Sequence, residues 1–348
     1  MTIADGRGAG REERTRVAVI GAGRWGEQHT RVFSAHPDAE LCAVVARHAD
    51  RAEARASRWG ARPYVSIAEM LSAEHPDLVT LSLPNEGHFD ATLEVIEAGV
   101  PLLAEKPLVF SLSEADALLG PAEARDLFFA INFNHRYAEP VRRAHELVLA
   151  GEIGDVVFAT WRFGGEGGTS AHPHANLIET QCHGLDMLEF LCGPIKSVMA
   201  QMTDRALGIY TTLAVALEFA NGAVGSLVGS YDSSYAYPST HLLEVNGTRG
   251  RVVIEDTVKR FTFSRAGDET REVWEAGYFN DFDREFHRTF DKHADALLAA
   301  LRSGQPPPVP ARAGRRAIEL AEAVIRSFEG GERVSVPPAV SSGDLAPS

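Results

Sequence analysis

The chain of 348 residues has few cysteines, no long apolar run and a deficit of basic residues. Its three cysteines form no CxxC pair, which predicts a reduced, cytoplasmic setting and no disulfide framework. No run approaches the roughly 18 consecutive apolar residues that a membrane span needs. The formal net charge of −14 lacks the basic surface that nucleic-acid binding requires. We therefore expect a cytoplasmic protein without nucleic-acid or membrane partners.

A glycine motif directly follows a predicted buried strand at residues 16–20, and a helical stretch continues from it to about Ala35. In the sequence GxGxxG between a strand and a helix, the first glycine makes the turn and the second lets a pyrophosphate approach. The third lets the helix meet the strand, and free N–H groups at the start of the helix bind phosphate. The motif predicts a dinucleotide site. Its predicted contact residues are Gly21, Gly23, Arg24, Trp25 and Gly26.

The end of the second predicted strand bears on the choice between NAD and NADP. In NAD-selective sites, an acidic residue about 20 positions past the glycines binds the ribose hydroxyls. Counting from Gly26 reaches Ala46, which is followed by Arg47. The nearest acids, Glu40 and Asp50, are poorly placed. We predict that Ala46 and Arg47 lie at the cofactor and that NADP is favoured over NAD, although Arg47 could instead stack on adenine or face water.

Strands and helices alternate through the rest of the first half, as in a doubly wound α/β sheet. Capping-box spacings predict helices that begin at Ser66 and Ser113. An apolar strand at residues 100–104 runs into residues 105–107, Glu-Lys-Pro. Open α/β sheets bind ligands at the carboxyl ends of their strands, so this position favours a functional Lys106. A lone lysine is ordinarily a solvated surface charge, and its role therefore depends on its neighbours.

With these motifs, the chain resembles the Gfo/Idh/MocA oxidoreductases, named for glucose-fructose oxidoreductase and inositol dehydrogenase. The residues that carry the resemblance are Gly21, Gly23, Gly26, Pro84, Asn85, His88, Glu105, Lys106, Pro107, Asn134, His135, Arg136 and Tyr137. The resemblance implies an amino-terminal Rossmann domain, residues 15–135. It also implies a carboxyl-terminal α/β domain, residues 136–335, built on a large open, mainly antiparallel sheet. Residues 1–14 and 336–348 are predicted to be disordered or flexible tails.

The resemblance further implies hydride transfer between NAD(P) and a ring hydroxyl or ketone of a sugar, aminosugar or cyclitol. Members of the family commonly pair through the open sheet, which implies a homodimer or homotetramer. The lysine of the Glu-Lys-Pro triplet is catalytic in the family, and this role falls on Lys106. Lys106 is also expected to contact the cofactor, together with four further residues: Pro84, Asn85, His88 and Glu105.

A predicted helix in the second half carries Glu179, His183 and Asp186 at spacings i, i+4 and i+7, and therefore on one face. The family carries the pattern D-x-x-x-H on this helix, which makes Glu179 and His183 candidate catalytic residues. This chain departs from the family pattern, because it has Glu179 in place of the aspartate and Gln181 in place of the glycine. The longer acid reaches further, so its role is open.

Candidate substrate contacts surround this helix. They are His135, His172, His174 and Tyr278. The alternative for His135 is a brace at the domain junction, and His172 and His174 could be ordinary loop residues. Zinc binding by His172, His174, Cys182 and His183 competes with these interpretations, but structural zinc motifs have tighter paired spacings. We predict no metal site.

In the remainder of the second half, two Asn-Gly dipeptides predict hairpins that turn at Asn221-Gly222 and at Asn246-Gly247. Two helices follow, at about residues 282–301 and 311–328.

The predicted mechanism removes a hydroxyl proton as hydride leaves the same carbon. Lys106 is the leading base, His183 its partner or alternative, and Glu179 their orienting group. A lysine in this role needs a pKa lowered toward about 7–8. Two other functions remain open. One is sugar cleavage or epimerisation through transient oxidation by tightly held NAD, and the other is a dinucleotide sensor or scaffold without catalysis.

Overall fold

The computed structural model describes residues 14–84, 87–167, 172–278 and 282–339, so Asn85 and most of both predicted tails lie outside it. The first of its two sheets has six parallel strands in the order β3-β2-β1-β4-β5-β6. The strands are β1 (Thr15–Ile20), β2 (Ala39–Val45), β3 (Arg62–Tyr64), β4 (Leu78–Leu81), β5 (Leu102–Ala104) and β6 (Phe129–Ile131). This order is that of a Rossmann sheet.

Five helices alternate with these strands, as the alternating pattern predicts. They are α1 (Arg24–Ala35), α2 (Ala49–Trp59), α3 (Ile67–Glu74), α4 (His88–Glu97) and α5 (Leu112–Glu123). The strand order reverses between β1 and β4, and such a switch point opens a crevice at the carboxyl ends of the strands. The glycine motif follows β1 and Lys106 follows β5, so the topology places both at this edge.

The second sheet has nine strands in the order β14-β13-β12-β11-β7-β10-β9-β8-β15. All neighbouring pairs are antiparallel except β7 with β10. The strands are β7 (Val156–Gly164), β8 (Ile195–Thr203), β9 (Thr212–Phe219), β10 (Val224–Ser230), β11 (His241–Gly247), β12 (Gly250–Glu255), β13 (Arg260–Arg265), β14 (Arg271–Glu275) and β15 (Val334–Ser335). The expectation of a mainly antiparallel second sheet is confirmed.

One face of this sheet forms the larger hydrophobic core and the other is open. Along β9, Leu213, Val215 and Leu217 are buried, whereas Ala214 and Ala216 between them are exposed. Four further helices complete the fold: α6 (Glu139–Leu149), α7 (Cys182–Cys192), α8 (Phe282–Arg302) and α9 (Ala311–Gly330). Helix α9 packs on β8, and α8 packs on α1 of the Rossmann half. None of the described helices is long and apolar enough to cross a membrane.

Two predicted helix starts meet different outcomes. Ser66 caps α3 as predicted, since its hydroxyl accepts a hydrogen bond from the Glu69 amide at 3.2 Å. The prediction that Ser113 caps the next helix is wrong. Helix α5 begins two residues earlier, because Ser111 accepts from the Glu114 amide and also donates to the Glu114 carboxylate.

The two predicted Asn-Gly turns also differ. The turn at Asn221-Gly222 is confirmed between β9 and β10, and Gly222 has φ +88°. The second predicted hairpin is also confirmed, since β11 pairs antiparallel with β12, but the predicted position of its turn is wrong. Asn246 and Gly247 belong to β11, and the chain reverses at residues 248–249. At the carboxyl end, Val336 is buried and its amide donates to the carbonyl of Lys196, so packing continues just past residue 335.

Candidate active site

The three glycines of the motif have different physical requirements. A Cβ at Gly21, where φ is +123°, would lie 2.3 Å from the carbonyl oxygen of Ser82, and one at Gly26 would lie 1.9 Å from the carbonyl oxygen of Gly21. Both positions therefore need glycine for the loop to pack. A Cβ at Gly23 would meet no described atom within 4 Å. The open face at Gly23, at the amino terminus of α1, fits a dinucleotide pyrophosphate.

The rest of the glycine loop is braced from two sides. Arg55 of α2 donates from Nη2 to the Ala22 carbonyl at 3.2 Å and pairs through Nη1 with Glu27 at 2.8 Å. Trp25 stacks on Phe290 of α8, with ring centroids 5.8 Å apart. The exposed Arg24 lies over the Trp25 ring, 5.2 Å from its centroid. Trp25 thus joins α1 to α8, and the Arg24 guanidinium is held beside the loop.

The other predicted cofactor contacts lie around the same edge. Ala46 is buried at the end of β2, and Arg47 beyond it is exposed. Pro84 is exposed after β4, while Asn85 lies outside the described residues. His88 is buried at the start of α4, and burial lowers the pKa of its imidazole, so the ring is neutral near pH 7. These positions keep the predicted contacts near one crevice, and the exposed cation Arg47 lies directly after β2.

Lys106 joins the two halves of the chain. Its half-buried ammonium donates from Nζ to the backbone carbonyl oxygen of Glu179 at 3.0 Å. The peptide bond between Lys106 and Pro107 is cis. The lysine that follows the Rossmann strand β5 therefore contacts the helical segment predicted to carry the second catalytic group.

His183 is the imidazole on that segment, and it is paired with His135. The two rings stack with centroids 3.8 Å apart and an interplanar angle of 9°. Both side chains are buried, and the Nδ1 atom of each has no hydrogen-bond partner among the described residues. Burial, the His135 ring and the Lys106 charge hold the pKa of His183 well below its usual value. The pKa of His135 falls to about 3, mainly through burial. Both imidazoles are therefore neutral at physiological pH.

The helix that was predicted to be continuous from Glu179 to Asp186 is interrupted. Residues 176–180 form a π-helical turn, and α7 starts only at Cys182. Single π-turns are frequent at functional sites. The turn presents the backbone carbonyl of Glu179 to Lys106, so the carboxylate is not the group that holds the ammonium. The expectation of one regular helix face is therefore wrong in its geometry.

Gln181, the other departure from the family pattern, has a packing role. Its Oε1 accepts a hydrogen bond from the Trp161 indole at 3.1 Å, and its Nε2 donates to the Asn176 side chain at 3.1 Å. A Cβ at Gly229 would lie 2.4 Å from the Gln181 side chain. Gln181 thus fills a space between the π-turn and β10.

Arg136 and Asp186 form a buried ion pair between the two helices that carry His135 and His183. The Arg136 guanidinium binds the Asp186 carboxylate through Nε at 3.0 Å and Nη2 at 2.5 Å. Arg136 follows His135 in a short 3₁₀ helix, Asn134–Tyr137, and Asp186 lies one turn after His183 on α7. The pair therefore ties the 3₁₀ helix to α7 at the place where the rings stack. The sequence pattern placed Asp186 on the right helix but did not reveal its partner.

The remaining predicted substrate residues are spread more widely. His172 is half-buried and its ring lies 5.2 Å from that of Phe110, just past the Glu-Lys-Pro triplet. His174 is buried and stacks on Tyr210 at 5.1 Å. Tyr278 is 96% exposed. The structure thus brings Lys106, Glu179, His183 and His135 together, with His172 close to the same junction.

Glu105, predicted beside the cofactor, has a buried carboxylate. It contacts His29 and Asn132, and Asn132 in turn contacts His293. Sequence reasoning missed these three residues because they lie far apart in the chain and no local spacing links them. Within the described ranges, no group of three or more His, Cys, Asp or Glu side chains is arranged to hold a metal ion.

Comparison with known proteins places both halves of the chain. Residues 15–133 match a family model described as an oxidoreductase family with an NAD-binding Rossmann fold, and residues 145–336 match the C-terminal alpha/beta domain of the same family. The chain is 25% identical over 344 residues to an inositol 2-dehydrogenase of Rhizobium meliloti (strain 1021), covering 92% of this chain and 99% of the relative.

Two further proteins are similar to most of this chain. The chain is 26% identical over 314 residues to a D-xylose 1-dehydrogenase (NADP(+)) of Haloferax volcanii, covering 85% of this chain and 92% of that protein. A solved structure of levoglucosan dehydrogenase in complex with NADH and L-sorbose superposes with a TM-score of 0.84 at 19% identity, covering 94% of this chain and all of the other. The last similarity shows a shared fold.

Proposed function

The chain belongs to the Gfo/Idh/MocA family of oxidoreductases, and from this premise we propose that it is an NAD(P)-dependent dehydrogenase of a sugar, aminosugar or cyclitol. The reacting group is a ring hydroxyl or the corresponding ketone. The observation that carries the proposal is the meeting of Lys106 with the segment of Glu179 and His183 at the carboxyl edge of the Rossmann sheet. The names of the full-length relatives, an inositol and a xylose dehydrogenase, support the substrate class.

In this proposal the cofactor is held by the glycine loop and by the residues at the ends of β2 and β4. A bound nicotinamide dinucleotide accepts or supplies hydride at its nicotinamide ring. The open face at Gly23 receives the pyrophosphate, and the N–H groups that begin α1 bind it. Arg55 keeps the loop in place by holding the Ala22 carbonyl.

Lys106 and His183 act on the substrate oxygen. When a hydroxyl is oxidised, the Lys106 amine takes the hydroxyl proton, and in the reverse direction its ammonium returns the proton to the ketone oxygen. His183 is neutral and hydrogen-bonds the same oxygen or a neighbouring hydroxyl. The carbonyl of Glu179 orients the amine. Two uncharged imidazoles, His135 and His183, suit a neutral polyol better than an anionic substrate.

NADP is the proposed preferred cofactor. Arg47 is exposed directly after β2, and no carboxylate occupies the adjacent Ala46 position that binds ribose hydroxyls in NAD-selective sites. An Arg47→Asp variant should therefore reverse the preference. Tryptophan-fluorescence titration with NADPH and NADH would measure it, and equal loss of both cofactors would contradict the assignment.

The open sheet face is the proposed site of homodimer or homotetramer formation. Its exposed apolar side chains include Met199 on β8 and Val224 and Val228 on β10. Small residues between them, such as Ala214 and Ala216 on β9, leave the surface flat enough for a second copy. This proposal rests on exposed apolar area, which is unusual on a monomer when it is contiguous.

A spectrophotometric screen tests the function. Purified protein is mixed with NAD or NADP and a panel of inositols, aldoses, anhydrosugars and aminosugars, and the reduced cofactor is followed by its absorbance. The proposal expects turnover with at least one neutral or amino polyol, and phosphorylated sugars to be poor substrates. Cofactor that co-purifies with the protein and turns over without net reduction would favour transient-oxidation chemistry instead. Cofactor binding without turnover on any member of the panel would favour a dinucleotide sensor.

A further inference from the structure

We propose that the side chain of Glu105 is an ionised, buried positioning group for Lys106, and that His29, Asn132 and His293 hold it in place. We call these four residues the Glu105 network. The inference rests on the proposed role of Lys106 and assigns a role to residues behind it. None of the four is exposed, so they act through Lys106 and not on the substrate.

The network is a continuous chain of hydrogen bonds. One carboxylate oxygen of Glu105 accepts from Asn132 Nδ2 at 2.6 Å and from His29 Nε2 at 2.9 Å. The other oxygen accepts from the backbone amide of Lys106 at 3.2 Å. His293 Nδ1 lies 2.7 Å from Asn132 Oδ1. The Glu105 carboxylate thus binds the backbone amide of Lys106, whose side chain donates to the Glu179 carbonyl.

The direction of these bonds follows from the side-chain chemistry. Because Asn132 donates its amide hydrogen to Glu105, its oxygen faces His293, and His293 must donate from Nδ1. The other ring nitrogen of His293 is buried and has no partner among the described residues, which suits an unprotonated nitrogen. Every donor therefore points toward Glu105, as an ionised carboxylate requires.

The charge of Glu105 is consistent with this arrangement. Burial by itself raises the pKa of the Glu105 carboxyl. The hydrogen bond and charge interaction with His29 outweigh it, together with the Lys106 charge and the Asn132 hydrogen bond, and lower the pKa overall. His88 on α4 and His293 on α8 also face the carboxylate closely enough for its charge to act on their pKa values. Both of these imidazoles are neutral, so they add no positive charge beside the carboxylate, and the charge interactions that lower its pKa are those with His29 and Lys106.

The network connects the elements that have to be aligned for hydride transfer. His29 lies on α1, the helix that begins at the glycine loop, and packs edge-on against Phe290 of α8. Asn132 follows β6, and His293 lies on α8 and stacks on Tyr137 at 4.6 Å. A shift of any of these elements would be transmitted to the Lys106 amide. The network therefore sets the position of Lys106 relative to α1, the helix that begins at the glycine loop.

The primary test compares Glu105→Gln with Glu74→Gln. Glu74 is the matched control, since it is a buried carboxylate of the same domain that pairs with Arg16 and Arg62 instead of with the site. We expect Glu105→Gln to lower kcat at least about tenfold, to leave KM within about threefold, and to move the pH at which turnover rises to lower pH by about one unit. That shift is the low end of what a neighbouring opposite charge produces. Glu74→Gln should lower the melting temperature and leave the pH profile unchanged.

A second pair of variants covers the case in which Glu105→Gln fails to fold. His29→Gln keeps a side-chain N–H for the carboxylate and should retain most turnover, whereas His29→Leu removes it and should lose most turnover. Hydrogen exchange at the Lys106 amide, measured without substrate, should accelerate in His29→Leu and not in His29→Gln. A folded Glu105→Gln enzyme with the wild-type pH profile, or identical behaviour of the two His29 variants, would overturn the proposal. If exchange follows the expected pattern but the wild-type protein oxidises no polyol, the proposed function fails and the network stands.

Discussion

Gly23→Ala should separate cofactor binding from folding. Gly23 has φ −78° and ψ −168°, a conformation that alanine adopts without strain, and the added Cβ meets no described atom within 4 Å. Alanine is a poorer N-cap than glycine, but it also restricts the unfolded chain. These effects oppose each other and leave the free energy of unfolding within about 1 kcal/mol of wild type. For a protein of this size, that corresponds to a melting shift of no more than about 4 °C.

Cofactor affinity should fall much further. The new methyl group stands on the open face that the pyrophosphate has to approach, so the phosphates are pushed away from the N–H groups at the start of α1. A hydrogen bond to a charged group contributes about 1.5–3 kcal/mol. Loss of one such bond raises Kd by about 10- to 100-fold, since about 1.4 kcal/mol is a factor of ten.

The assay pairs differential scanning fluorimetry with a fluorescence titration of NADPH. Gly120→Ala is the matched control, because its Cβ also meets nothing within 4 Å but lies on α5, away from the loop. It should leave Kd unchanged. Gly26→Ala, whose Cβ would lie 1.9 Å from a backbone oxygen, should destabilise the fold itself. A stable Gly23→Ala protein with wild-type cofactor affinity would refute the assignment of this face to the pyrophosphate.

Three further predictions concern stability and assembly. Asp186→Asn should lower the free energy of unfolding by about 3–5 kcal/mol in urea titrations, because it removes the negative charge that the buried Arg136 guanidinium faces in this ion pair; a loss below about 1 kcal/mol would contradict the burial of the pair. Stability should fall as the pH drops from about 6.5 toward 4, because His135 stays neutral in the folded state, with a pKa near 3, while the unfolded chain takes up the proton. His135→Phe should reduce that slope by up to about 1.4 kcal/mol per pH unit, and an unchanged slope would argue against a neutral His135. Val228→Glu should convert the proposed homo-oligomer to monomers in light scattering, and an oligomer of unchanged mass would contradict an interface on the open sheet face.

Features with a local sequence signature were predictable. The glycine motif is recognisable in the sequence because the turn, the approach of the phosphates and the packing of the helix each require a glycine at a fixed position. In the structure, Gly21 and Gly26 have close contacts that only glycine allows. The alternation of strands and helices predicted the Rossmann half, and the dipeptide Asn221-Gly222 predicted the hairpin of β9 and β10. The prediction at Ser113 was wrong because Ser111 and Ser113 each lie three residues before an acidic residue, which is the spacing of a capping box. Only Ser111 lies at the start of the helix.

Features that depend on long-range packing were not predictable. The three residues around Glu105 come from distant segments of the chain: His29, Asn132 and His293. No local sequence spacing predicts that they converge. The contact of Lys106 with the Glu179 carbonyl depends on the π-helical turn, which exposes a backbone group that a regular helix would have used internally. A search for catalytic side chains cannot anticipate a backbone acceptor.

In the proposed mechanism, Lys106 takes or returns the substrate's proton as hydride is transferred. The most direct measurement compares Lys106→Ala with wild type in two assays on the same preparation: cofactor Kd by fluorescence, and kcat on the best substrate from the polyol screen. We predict a Kd within about threefold of wild type and a kcat reduced by at least about 100-fold, the lower range for loss of a general acid–base group. A folded Lys106→Ala enzyme that binds cofactor and retains wild-type kcat would contradict a catalytic role for this lysine.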